Sequence, residues 1–450
     1  IVDVKRDIPL NRLPTLIQQA MKWQSHTGQL PWIKEVYNEE TGESAASKER
    51  QKKKKGRKRK RYNLVMGEVA GGDRNTMVGD EMLQLDDDDE DREAIPRDVL
   101  AKVKFGKSAV CESAVFSSKG LITGSSDSMI EIWDSTDFKE LNTTDYPYQK
   151  ENAMGHNDSP VLCMDLSNDG EILVSGDSDG KVKVWKLASG KCLRQYQAHD
   201  VSVTALSLSR DASKVLTGSA SGICREFGLV SSNVVQVFEG HTSYINSCRY
   251  VLGWKFANDK SPQTGVAELW VVTASADGTV RLWQKGSAIR VLQPPRDLSL
   301  VNRNFSLTVD PTALMSESPG IHTAAPVPGD ESRILVVPRS SEAFLVDLEG
   351  SVLQCFRTGF PETVFVSATV TANVAYLVTA PKGDCLVFSL RNGKLLKTIT
   401  NFSTSSVTKT NTEHRIAEIS SIVHHPFKPS ILASFSNDKT QKKGILAVWK

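Results

Sequence analysis

From about residue 99 onward, short apolar runs alternate with polar positions at a period of two, and turn dipeptides cut the runs at regular intervals. Ile172-Leu173-Val174 and Val182-Lys183-Val184-Trp185 are two such runs, separated by Asp179-Gly180. Asp277-Gly278 separates another pair, and Gly supplies the positive φ that a tight hairpin needs. The pattern predicts strand, turn, strand, over and over. Three copies are close: Ile122 to Trp133, Val174 to Trp185, and Val272 to Trp283. The offset to Trp is 10 from Thr123, Ser175 and Thr273 (133−123, 185−175, 283−273) and 6 from Asp127, Asp179 and Asp277. A fixed internal period decides the architecture before any single residue is interpreted.

A Gly-His or Ala-His pair precedes several copies: Gly155-His156, Ala198-His199 and Gly240-His241. A His on one turn, an Asp on the next, a Ser/Thr on a strand and a Trp on another can form one hydrogen-bonded chain. A buried indole or imidazole N–H needs such a partner, because an unpaired one costs about 1–3 kcal/mol. The expected structural network is Thr123, Asp127, Trp133, His156, Ser175, Asp179, Trp185, His199, Thr217, His241, Thr273, Asp277, Trp283 and Trp449. His156, Ser175 and Asp179 also have the residue types of a hydrolytic triad. Their recurrence favours the structural reading, since a triad is built once. Gly176 to Lys181 is no phosphate loop, having three residues between its glycines where that loop has four.

The repeat resembles the WD-repeat family over residues 99 to 450, and the resemblance implies an all-β propeller of four-stranded blades. The copy ending at Phe227 is partial: Phe227 replaces Trp and Ser221 replaces Asp, while His199 and Thr217 remain. Repeat ends at Trp133, Trp185, Phe227, Trp283, Val346-Asp347, Phe388 and Trp449 make seven blades. Val99 to Phe105 alternates with period two and is read as the outer strand of the last blade, closing the ring. Expected long loops are 142–157, Gly253 to Ala267, and Leu300 to Asp330, the last rich in Pro, Ser, Thr and Ala.

Composition agrees with a folded chain: 39% hydrophobic and 24% charged residues over 450 positions. No apolar run reaches 18 residues, so no membrane helix is expected, and no signal-peptide pattern follows Ile1. A start at Ile and not Met points to a piece of a longer protein. The seven Cys are scattered singly with no C-x-x-C pair, giving no reason to expect zinc or any other cofactor. Cys163 is read as a reduced core thiol.

Residues 1–37 are expected to be a helical segment, with the helix over 9–31, Asn11 as its cap and Gly28 and Pro31 at its end. Leu13, Leu16, Ile17, Met21 and Trp23 form its candidate partner-docking face. Residues 38–98 read as a charged, disordered linker. Its basic run is a candidate nuclear import signal: Lys52, Lys53, Lys54, Lys55, Arg57, Lys58, Arg59, Lys60 and Arg61. The acidic run from Asp86 to Asp91 balances it, so the net charge is only +2, as a plain solvated linker would also have.

Pro9 to Pro31, Val103 to Ser108, the second repeat and His424-His425-Pro426 resemble the Smu family of splicing proteins. That resemblance implies a nuclear, non-enzymatic scaffold of pre-mRNA splicing that joins the spliceosome before its catalytic activation. It implies the RED protein and other spliceosomal proteins as partners, no small-molecule substrate and no membrane. Residues 1–37 would then be the tail of a CTLH-like module. Two other scaffolds stay open: a ubiquitin-ligase substrate receptor and a chromatin or corepressor WD-repeat protein. One receptor class carries Trp-Asp with Arg two residues on; Trp133-Asp134-Ser135-Thr136, Trp185-Lys186-Leu187-Ala188 and Trp283-Gln284-Lys285-Gly286 do not.

Overall fold

The computed structural model describes residues 95–105, 109–118, 120–134, 154–255, 266–295, 305–310, 314, 318–360, 362–381, 383–400, 418–426, 428–438 and 443–450. The expected helix over 9–31, its docking face, the basic run and nearly all of the expected linker lie outside them. The described residues build seven four-stranded antiparallel sheets, the seven blades of a β-propeller.

The strand β1 (Val99–Lys104) comes first. The first blade is β2 (Cys111–Phe116), β3 (Gly120–Ser125), β4 (Met129–Asp134) and the short β5 (Met154–Gly155). The second is β6 (Val161–Leu166), β7 (Ile172–Asp177), β8 (Lys181–Lys186) and β9 (Lys191–Gln197). The third is β10 (Val203–Leu208), β11 (Lys214–Ser219), β12 (Cys224–Gly228) and β13 (Val234–Phe238). The fourth is β14 (Ile245–Lys255), β15 (Val266–Ser275), β16 (Val280–Gln284) and β17 (Ser287–Leu292). The fifth is β18 (Ile321–Val327), β19 (Asp330–Pro338), β20 (Glu342–Asp347) and β21 (Val352–Arg357). The sixth is β22 (Val364–Val370), β23 (Val374–Ala380), β24 (Cys385–Ser389) and β25 (Leu395–Ile399). The seventh joins β26 (Glu418–His425), β27 (Lys428–Asp438) and β28 (Lys443–Trp449) to β1, in the order β1-β28-β27-β26.

The pairing Val99↔Trp449 through Lys104↔Ile445 closes the ring with the opposite end of the repeat region. The described chain is docked from Ile95, ahead of the boundary expected at 99. Ile95 packs on the core between the sixth and seventh blades, and the amides of Arg97 and Asp98 donate to the Lys450 carbonyl.

Hydrophobic burial sits between blades and not within them. Each of seven clusters joins two neighbours, from the first-to-second interface (Ile122, Ile132, Leu173, Trp185) to the seventh-to-first (Phe435, Val448, Cys111, Leu121). A blade therefore has no core of its own, and each depends on its neighbours as in other repeat folds. Every innermost strand carries a register shift at the same place, as at Val161/Cys163, Val203/Ala205 and Ile245/Ser247. Such a bulge adds local twist. It also frees side chains to cross to the next blade: Thr204 Oγ1 donates to the Ile245 carbonyl and Asn246 Nδ2 to that of Ile321 (2.7 Å).

All three expected loops are partly strand: Met154–Gly155, inside the expected 142–157 loop, is β5 of the first blade. Gly253-Trp254-Lys255 pairs with Val266-Ala267-Glu268, lengthening the β14–β15 hairpin. Gly253 is there to make room, because a Cβ at that position would fall inside the Trp270 indole. Within the expected 300–330 loop, Ile321–Val327 is the innermost strand of the fifth blade, and Leu307 is buried. Thr323, Ala324 and Ala325 read as loop composition, but small side chains also suit a crowded inner strand.

Candidate functional site

The network is best seen in the second and fourth blades. In the second, Trp185 Nε1 donates to Ser175 Oγ (2.9 Å), and His156 lies between Ser175 Oγ (2.7 Å at Nε2) and Asp177 (2.7 Å at Nδ1). With Nδ1–H donating to the carboxylate, Nε2 accepts from the serine hydroxyl, so every polar hydrogen is used. In the fourth, Trp283 donates to Thr273 Oγ1 (2.8 Å), and His241 spans Thr273 (2.7 Å) and Asp277 (2.8 Å).

The acid in the second blade is Asp177 and not Asp179, which corrects the expectation. Asp177 follows Ser175 by two positions on β7, so strand alternation puts both side chains on the His156 side. Asp179 is left on the turn, 53% exposed, where it accepts from Ser159 and pairs loosely with Lys181 (3.6 Å). In the fourth blade the position of Asp177 is taken by Ser275, and Asp277, two residues further, reaches the histidine instead.

The other copies are incomplete. In the first blade Trp133 donates to Thr123 (2.9 Å), while Asp127 only holds its own turn, bonding Ser125 and the Met129 amide. The sequence has no His between His26 and His156 to complete that set. In the third blade His199 bonds Thr217 Oγ1 (2.8 Å) but has no acid. In the seventh, Trp449 donates to Ser434 (3.0 Å). In the fifth and sixth blades Val336 and Leu377 hold the hydroxyl position, and Val346 and Phe388 the Trp position. Replacing all partners by apolar groups leaves nothing unpaired and is close to neutral.

Electrostatics follow burial and partners. Burial pushes the Asp277 carboxyl up, but hydrogen bonds from His241, Thr279 and the Thr242 amide outweigh it and hold it well below the carboxylate range. Asp177 is lowered in the same way, its burial outweighed by His156 and the Lys181 and Asp179 amides. His199, buried beside Arg225, drops to about 4.

Ser175, His156 and Asp177 have triad-like distances but no access: they are 0%, 3% and 1% exposed. Ser175 Oγ is already committed to Trp185. Opposite the hydroxyls, Lys183, Arg225 and Arg281 close over the sets; Lys183 Nζ sits 5.4 Å from the Trp185 ring centroid and donates to the Gly155 carbonyl. Gly180, at φ +82°, lies so close under the His199 carbonyl that a Cβ would collide with it. These sets brace the blades.

Asp177→Asn is expected to cost about 1–3 kcal/mol, because it removes a buried carboxylate that serves three donors. Asp179→Asn should stay within about 0.5 kcal/mol. Chemical denaturation of both variants checks this; equal losses would contradict the assignment.

Among the described residues no cluster of three or more His, Cys, Asp or Glu could hold a metal ion, and no helix is long and apolar enough to cross a membrane. All seven cysteines are free; Cys163 is buried, and Cys192 is exposed.

The model of the WD domain, G-beta repeat, matches residues 149–186, 190–227 and 232–284. The WD40 repeat-containing protein smu1 of Dictyostelium discoideum is 27% identical over 447 residues, 98% of this chain and 68% of that one. The F-box/WD repeat-containing protein 7 of Drosophila melanogaster is 38% identical over 61 residues, 13% of this chain and 4% of that one. The crystal structure of the WD40 β-propeller domain of Doa1 superposes with a TM-score of 0.53 at 15% identity, covering 78% of this chain and 96% of that one. The fold is a seven-bladed propeller of WD repeats, an architecture that typically serves as a non-catalytic scaffold for protein interactions.

Proposed function

We propose that this chain is a member of the Smu family and a nuclear scaffold of pre-mRNA splicing, joining the spliceosome before its catalytic activation with the RED protein among its partners. The observation that carries this reading is the extent of the likeness to smu1. It runs over 98% of the chain, including residues ahead of the propeller, whereas the F-box/WD relative matches only 13%. A propeller alone makes many scaffolds; a likeness that continues beyond it discriminates between them. The basic run from Lys52 to Arg61 fits nuclear entry, and the apolar face from Leu13 to Trp23 fits a protein partner.

Purification of the tagged full chain from nuclear extract tests this. Small nuclear RNAs and spliceosomal proteins are expected to co-purify. Recovery of a cullin and its adaptor, with no small nuclear RNA, would replace this reading with the ubiquitin-ligase one.

A further inference from the structure

The outer rim between the second and third blades carries chemistry that the buried network does not use. From Gly180 to His199 the chain has five cations and no Asp or Glu. Lys183 is buried over Trp185 and Lys181 lies near Asp179, leaving Lys186, Lys191 and Arg194. Lys186 and Lys191 are both exposed and face each other directly across the β8–β9 ladder. Like charges so placed destabilise a strand pair unless an anion lies between them.

The direction of these cations is fixed by register. Arg194 is the partner of Val184, whose side chain belongs to the core shared with the third blade. Lys186 lies two positions beyond Val184 on the same strand, so it and its partner Lys191 project to that side too. The Arg194 guanidinium accordingly reaches the Val230 carbonyl (3.3 Å). On the opposite wall Val230 is 76% exposed. Val234, 49% exposed, pairs with Phe227 of that same core.

Three nearby acids are held by other partners. Asp169 and Asp211 accept from Ser167 and Ser209 in their own turns, and Glu226 is held by Lys214 and Tyr250 toward the fourth blade. The rim is a groove with a cationic wall and an aliphatic wall.

We propose that this groove binds an acidic peptide segment bearing aliphatic side chains. Carboxylates meet Lys186, Lys191 and Arg194, and the aliphatic side chains cover Val230 and Val234. Single-stranded nucleic acid would satisfy the cations, but it is held by aromatic stacking platforms, and this wall is aliphatic. The proposal rests on the scaffold role alone and not on the splicing assignment.

Three probes are titrated: a peptide alternating Glu and Leu, an all-Glu peptide and an oligouridine RNA. Each probe carries a fluorescent dye, and its anisotropy is read as the full chain is added. The Glu–Leu peptide is expected to bind most tightly and to weaken with salt. Lys186→Glu with Lys191→Glu should weaken it about tenfold or more, and Val230→Asp by a similar factor. These positions are exposed, so melting temperatures should match the parent. Unchanged affinity in the double charge reversal, equal binding of the all-Glu peptide, or tighter binding of the RNA would overturn the proposal. A failed spliceosome pull-down would leave it untouched.

Discussion

Acidifying the protein from neutrality to about pH 4 is expected to remove most of its folding stability, and histidine rather than carboxylate starts the loss. His199, His322, His424 and His425 each sit in surroundings that lower the imidazole from 6.5 to about 4. Burial is the main cause in all four, assisted by Arg225, Arg339, His425 and Lys428 respectively. His424 Nδ1 lies 2.7 Å from Thr369 Oγ1 on the neighbouring blade, and His425 Nδ1 accepts from the Lys428 amide (3.2 Å), a bond that a proton on that nitrogen would break.

A folded-state pKa below the unfolded one means that the unfolded chain takes up the proton first. The stability is therefore whole above 6.5 and is lost as the pH falls from 6.5 toward 4. At about 1.4 kcal/mol per pKa unit each site is worth at most about 3 kcal/mol when fully titrated, and His424 and His425, being neighbours with His425 lowering His424, add to less than twice that. Asp177 and Asp277 are lowered carboxylates, so their contribution is present above about pH 4 and falls away only below it. Urea unfolding midpoints at a series of pH values read this directly. A midpoint that holds steady down to about pH 4 and drops only below would mean that the histidines contribute nothing.

The second large effect is Trp283→Ala, expected to cost about 3–5 kcal/mol. Trp283 is 2% exposed, packs edge-on against Phe238 (5.7 Å between centroids), and gives its only N–H to Thr273. Removing it opens a cavity in the core between the third and fourth blades and takes a donor from Thr273. Trp283→Phe should cost about 1–2 kcal/mol, since the ring volume is largely kept. The third blade already holds that arrangement: Phe227 takes the Trp position, and the Thr217 hydroxyl is still satisfied by His199 and the Arg225 carbonyl. Denaturant titration of both variants separates packing from hydrogen bonding. Equal losses would place the whole effect in the indole N–H.

Most of the architecture was legible because it rests on local signals repeated many times. Alternation marked the strands, Asp-Gly marked the hairpins, and the Trp spacing counted blades even where Val346 or Phe388 stood in for Trp. The closing strand at Val99 was legible for the same reason. What escaped depended on neighbours. Asp177 is hidden because alignment on Asp-Gly favours Asp179; strand parity from Ser175 is the signal that marks it. Gly253 read as a loop residue because its reason, the Trp270 indole across the hairpin, is a cross-strand fact. The rim groove needed register, since Lys186 and Lys191 become opposed only when β8 and β9 are paired.

The closure of the ring has a consequence for the order of events in synthesis. β1 emerges first, yet its partner strand ends at Trp449, 350 positions later by the Val99↔Trp449 pairing. At translation rates of about 5–20 residues per second the wait is about 20–70 seconds. Throughout it, β1 is an unpaired strand and the first blade lacks one of its two interfaces. Neighbouring blades can assemble as they appear, but the ring is whole only once the last strand has left the ribosome. A ribosome stalled just short of Trp449 would hold a nearly complete ring with a strand edge still exposed to solvent and to other nascent chains.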